Sequence, residues 1–195
     1  LGELEGADEN LTCLTVSAEG RLVAAGGQEG MAHVWDAEAS KVRFTVNAGP
    51  GRVGCAAFSP DGRLLATGGS GRVIRLWDAL TGEALGTLQG PRRAVANVAF
   101  SPDGALLAAA CVDDQVYLWE MPSRKALPPI EAVAGGVAAA AWCPKGRIFW
   151  CGGQDGSLRA IDLWRRSAPG PRHQGEVSAV AWSPQGELVS AGWDS

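Results

Sequence analysis

His173, Ser190 and Asp194 are the three residue types of a hydrolytic triad: imidazole base, hydroxyl nucleophile and orienting carboxylate. Asp113-Asp114 and Asp8-Glu9 pair carboxylates that acid–base chemistry could use. Arg52, Arg72, Arg92 and Arg93 carry the planar fork that binds carboxylate or phosphate. Cys13, Cys55, Cys111, Cys143 and Cys151 could ligate a metal or cross-link. The spacings narrow this list. No two cysteines form C-x-x-C, their number is odd, and only two histidines occur, without H-E-x-x-H. There is no G-x-x-x-x-G-K-[ST], and Gly68-Gly69-Ser70-Gly71-Arg72 is not G-x-S-x-G. The acidic pairs fall in turns, where solvated charge is expected. We therefore expect no enzyme activity, no catalytic residue, no metal and no cofactor. The cysteines read as reduced, buried thiols of an intracellular protein, cytoplasmic or nuclear.

The elements that position these residues follow from composition and period. The chain has 195 residues with 27 glycines and 8 tryptophans, and 46% of it is apolar, which points to a turn-rich β protein. No apolar run approaches about 18 residues, so a membrane-spanning helix is not expected. No signal-peptide pattern opens the chain. A net charge of −4 argues against a dedicated nucleic-acid binder.

An internal repeat organises the rest. Ser59-Pro60-Asp61-Gly62 recurs as Ser101-Pro102-Asp103-Gly104, with worn copies at Ser17–Gly20, Cys143–Gly146 and Ser183–Gly186. Gly20, Gly62, Gly104, Gly146 and Gly186 set a period of about 42 residues, the last step slightly shorter. Trp35-Asp36, Trp77-Asp78, Trp119-Glu120 and Ile161-Asp162 keep the same phase. Each unit reads as four short strands, a to d. In the second unit strand a is Val53–Phe58, strand b Arg63–Gly68, strand c Val73–Trp77 and strand d Glu83–Gln89. Pro60 presets the turn dihedral and Asp-Gly is a hairpin signal. One four-stranded sheet cannot bury both faces alone, whereas stacked sheets can.

These residues resemble the WD40 repeat family, through the Ser-Pro-Asp-Gly turn and the Trp-Asp ending of strand c. The resemblance implies an all-β fold, a β-propeller or an open arc of one, with four-stranded antiparallel blades and about 4.6 repeats of 42 residues. The expected segments are 1–6 (strand d of a preceding blade), 7–48, 49–90, 91–132, 133–172 and a truncated fifth repeat, 173–195. Leu1–Gly6 aligns with Leu85–Gly90, and the chain stops where a strand c is due, so we expect the remaining blades of the propeller to come from sequence outside this chain; the alternative is that Leu1–Glu5 pairs with the terminal a and b strands and closes a small five-bladed ring. A seven-bladed ring at this period needs about 290 residues.

The resemblance also implies a hydrogen-bonded tetrad of His, Ser/Thr, Asp and Trp in each blade. The His position reads Ala7, Gly49, Pro91, Val133 and His173; the Ser/Thr position Ala25, Thr67, Ala109, Cys151 and Ser190. The Asp position reads Glu29, Gly71, Asp113, Asp155 and Asp194; the Trp position Trp35, Trp77, Trp119 and Ile161. His173, Ser190 and Asp194 thus become structural tetrad members instead of a triad. With most tetrads incomplete, apolar packing is expected to hold the blades. His33 has no such partner set and receives no role.

The resemblance implies a rigid platform whose d–a and b–c loops meet partners. Those loops carry Arg52, Arg72, Arg92 and Arg93, with Asp113, Asp114 and Trp193 as further candidate contacts. Trp164, beside Arg165 and Arg166, is a candidate at the opposite rim. The expected function is a non-catalytic protein-interaction scaffold binding other proteins, among them an acidic or phosphorylated segment. A sensor or regulatory array of a larger ATPase or kinase, and an RNA-associated assembly factor, are the alternatives. The family's cullin-receptor motif needs a basic residue two places after the Trp-Asp aspartate, where this chain has Glu38 and Leu80.

Overall fold

A computed structural model of the chain describes residues 6–7, 10–146, 148–163, 168–172, 175–183 and 187–192. Every regular element among them is a β-strand. No helix among the described residues is long and apolar enough to cross a membrane. The chain divides into two compact units, 1–90 and 91–195.

The first unit holds two four-stranded antiparallel meanders. One is β1 (Leu11–Val16), β2 (Leu22–Gly27), β3 (Met31–Asp36) and β4 (Lys41–Asn47). The other is β5 (Val53–Phe58), β6 (Leu64–Gly69), β7 (Ile74–Asp78) and β8 (Ala84–Leu88). In each meander the first strand is a and the last is d. Leu22, Ala24, Val34, Phe58, Leu65 and Trp77 form one buried cluster here. The inner strands β2, β3, β6 and β7 bury their apolar side chains, β1 and β2 packing against β5, while β1 leaves Leu11, Leu14 and Val16 exposed.

The second unit repeats the plan. Its first sheet is β9 (Val95–Phe100), β10 (Leu106–Cys111) and β11 (Gln115–Glu120), edged by β12 (Lys125–Ala126) and β13 (Ile130–Glu131). The second is β14 (Val137–Trp142), β15 (Ile148–Gly153), β16 (Ser157–Asp162) and β17 (Ala168–Arg172), and β18 (Val177–Trp182) pairs β19 (Leu188–Gly192). Strand d is one piece in the first unit and two pieces in β12–β13. Pro128 and Pro129 fall between the pieces, and neither has an N–H for the ladder.

The repeat turn explains the strand ends. Ser59 N–H donates to the Leu64 carbonyl and Gly62 N–H to the Ser59 carbonyl, both at 2.9 Å. Leu64 N–H donates to Ser59 Oγ at 2.9 Å, and Ser59 Oγ donates to Asp61 Oδ1 at 2.5 Å. The Arg63 amide turns to Asp61 Oδ1 (3.1 Å), so β6 begins at Leu64, one position later than the sequence suggests. Gly62 sits at φ 69°, and Gly20, Gly104 and Gly146 take nearly the same angle. Only glycine adopts this region without strain, which fixes the motif's last letter. Cys143 keeps the backbone bonds of the turn with a thiol in place of the hydroxyl.

The turn carboxylates are charged down. The Ser59 hydroxyl, then the Arg63 amide, holds Asp61 below its ordinary value of 3.8. The Ser101 hydroxyl and the Ala105 amide do this for Asp103; the Thr81 and Leu80 amides do it for Asp78. A depressed folded value stabilises the fold fully above the unfolded value and is lost as pH falls through the folded one. The melting temperature should therefore hold from pH 7 to 5 and drop below about pH 4. Asp61→Asn with Asp103→Asn should flatten that drop; an unchanged acid slope would refute it.

Candidate binding loops and the strand that supports them

The a–b hairpins share one irregularity. Thr12, Gly54, Ala96, Ala138 and Ser178 are each an extra residue opposite the strand-b ladder. A bulge at this point bends strand a where it enters from the d–a loop, re-aiming that loop. Nothing in the residue types announces it.

In the first unit the d–a and b–c loops are tied together. Ser70 N–H donates to the Arg52 carbonyl at 3.1 Å, and Ser70 Oγ donates to it at 3.3 Å. Arg52 and Arg72 are exposed, and Arg72 holds φ 59°. Behind them the enclosed space beside Thr67 is only about 10 Å³, so nothing larger than a water enters. Any ligand here is met on the surface.

In the second unit Arg92 and Arg93 are exposed on the d–a loop. Asp113 and Asp114 are not the solvated charges that their turn position suggests. Asp113 is half-buried; its Oδ2 accepts from Tyr117 Oη at 2.9 Å and from Arg92 N–H at 3.3 Å. Asp113 Oδ1 is buried and has no hydrogen-bond partner among the described residues. Asp114, at φ 67°, accepts from Gly136 N–H at 2.5 Å through Oδ1, and its carbonyl accepts from Ala132 N–H at 2.8 Å. Both carboxylates hold loops in place. Burial, and then the Asp113 carboxylate, push the Tyr117 phenol up, keeping it a donor at neutral pH.

Strand c carries a polar position that residue types alone do not single out: His33, Arg75, Tyr117 and Arg159, each one repeat period from the next. Arg75 Nε donates to the Ala48 carbonyl at 2.8 Å, and Arg159 Nη1 to the Ala132 carbonyl at 2.5 Å. Ala48 and Ala132 are separated by two repeat periods, as are the arginines, so one contact is made twice. Each arginine pins the end of strand d where the loop begins. His33, without a role in the sequence, is buried, shares a 3.0 Å bond between Nδ1 and Thr45 Oγ1, and lies 5.7 Å from the Trp35 ring. A polar residue recurring once per repeat within an apolar strand was the available signal.

Trp35, Trp77 and Trp119 are all buried. Trp77 Nε1 donates to the buried Thr67 hydroxyl at 2.9 Å. Trp150 lies half-buried at the strand-b position where Ala24, Ala66 and Ala108 are fully buried. Ser190 faces Val180 in the register in which Thr67 faces Ala56. His173, Asp194, Trp193 and Trp164 lie outside the described residues, as do 1–5 of the expected preceding strand d. Burial pushes the Cys13 and Cys151 thiols up and Cys111 to about 12, so these stay protonated and unreactive.

The family model for the WD domain, G-beta repeat (WD40) matches residues 1–36, 41–78, 82–120 and 170–195, well over half of the chain. The chain belongs to the WD40 family. The crystal structure of RRP9 WD40 repeats matches 96% of the WD40 chain with a TM-score of 0.86 and 24% sequence identity. That likeness concerns the fold alone, and the chain spans 58% of that structure's length. No curated protein matches the chain. The WD40 model passes over 121–169, where Cys143 and Ile161 replace the motif residues, yet β14 to β17 form the same four-stranded sheet. WD40 repeats generally mediate protein–protein contacts and are typically non-catalytic.

Proposed function

We propose that this WD40 chain is a non-catalytic platform for protein assembly inside the cell, and that its d–a and b–c loops receive an acidic or phosphorylated segment of a partner. One observation carries the reading: the arginines divide into two kinds. Arg75 and Arg159 are committed to backbone carbonyls beneath the loops. Arg52, Arg72, Arg92 and Arg93 stand exposed on the loops themselves. A guanidinium in a loop anchored by a second guanidinium, or by the Tyr117–Asp113 bond, loses little freedom on meeting a carboxylate or phosphate. The buried thiols of Cys55, Cys111 and Cys151, none of them in a disulfide, suit a reducing compartment.

The test is calorimetry with a synthetic phosphoserine- and glutamate-rich peptide. Arg92→Glu with Arg93→Glu should weaken binding by about 10-fold or more, equivalent to about 1.4 kcal/mol. The wild-type affinity should also fall with added salt. Equal affinity in the double variant would sink this reading.

A further inference from the structure

The a–b and c–d turns lie at the other end of the strands, and each unit has a groove there. In the first unit it encloses about 640 Å³ and is lined by Arg21, Glu38, Arg43 and Asp61 among others. In the second it encloses about 820 Å³. The two are the same place in the repeat, shifted by two periods: Ala105 stands where Arg21 stands, and Leu127 where Arg43 stands. Arg43 reaches over the first groove, its Nε donating to the Leu80 carbonyl at 3.1 Å. Leu127 instead packs as a half-buried side chain against the second unit's core, as do Leu106, Ile130 and Leu163. The break between β12 and β13 leaves Pro128 exposed at the groove wall. An arginine-crossed polar groove has thus become an open apolar one, of a size that accepts a few side chains. Among the described residues its rim is anionic, Asp103 and Glu120 lining it with a single Lys145. The Ser101 hydroxyl holds Asp103 in its charged form.

We infer that the second unit's groove is a docking site for a short segment of a partner protein, one that inserts a bulky apolar side chain next to a lysine or arginine. The apolar floor of Leu118, Leu127 and Ile130 takes the anchor, and the rim carboxylates take the cation. This chemistry is opposite in sign to that of the arginine loops, so one segment cannot satisfy both sites.

The experiment selects random dodecapeptides displayed on phage against the full chain, then titrates the winner as a fluorescein conjugate by polarisation. The expected result is an apolar–basic consensus whose affinity falls about 10-fold or more in Ala105→Arg and in Leu127→Arg. Ala105 is exposed and its repeat counterpart is already arginine, so that variant should keep the wild-type melting curve. Glu120→Lys should weaken the same peptide and leave the phosphopeptide of the loops unaffected; Arg92→Glu with Arg93→Glu should do the reverse. The inference is overturned if selection gives no apolar–basic consensus, or if binding ignores both arginine variants. It is likewise overturned if the chain self-associates and Ala105→Arg abolishes that, because the occupant is then a second copy.

Discussion

Replacing Trp77 with alanine should destabilise the chain by about 3–5 kcal/mol in denaturant melting. The ring is 6% exposed and belongs to the cluster of Phe58, Leu65 and Val46. Its loss removes a large apolar surface and leaves a cavity that strands on both sides cannot collapse to fill. A second component is separable. Trp77→Phe keeps most of the packing but strands the Thr67 hydroxyl, which is 2% exposed and accepts the indole N–H. A buried hydroxyl deprived of its partner costs about 1–3 kcal/mol. Trp77→Phe in a Thr67→Val background should therefore cost less than Trp77→Phe alone. A Trp77→Ala cost below about 1 kcal/mol would place the ring outside the core.

Gly30→Ala should destabilise by about 2–5 kcal/mol, combining left-handed strain with overpacking. Gly30 has φ 86°, and a Cβ there would lie 1.9 Å from the Gly49 carbonyl oxygen. That oxygen is backbone, so nothing flexible can move aside. Its neighbour Ala48 N–H donates to the Gly30 carbonyl at 2.8 Å, which locks the approach from both sides. The equivalent b–c residues give a control of opposite sign. Arg72 and Asp114 hold φ 59° and 67° without being glycine. Arg72→Gly relieves about 1–2 kcal/mol of left-handed strain and restores part of that as chain entropy, so it should be neutral or stabilising by up to about 1 kcal/mol. If Gly30→Ala melts like the wild type, the contact between these two loops is wrong.

Much of the fold was legible because the repeat markers are themselves structural parts. Ser-Pro-Asp-Gly is a closed turn with its hydroxyl, carboxylate and left-handed glycine all in use. The aspartate of Trp-Asp accepts the next turn's amides, as Asp78 does from Leu80 and Thr81. Strand β5 spans Val53–Phe58, where the repeat places strand a. What stayed hidden depends on chain segments meeting in space. The bulge residues Thr12, Gly54, Ala96, Ala138 and Ser178 are small but not of one type, since a bulge is a backbone event. Tyr117 as the partner of Asp113, and Arg75 reaching Ala48, need the loop to fold over strand c before the pairing exists. His33 looked idle because its partner, Thr45, sits on strand d. The exposed arginines were visible as residues, but their separation from the committed ones was not.

Amide hydrogen exchange of the chain, with and without the saturating phosphoserine peptide, locates the bound peptide. We expect protection over residues 91–94 of the second unit, in the d–a loop that carries the exposed Arg92 and Arg93. No protection there, or protection confined to the a–b and c–d turns at the opposite strand ends, would contradict the proposed loop site.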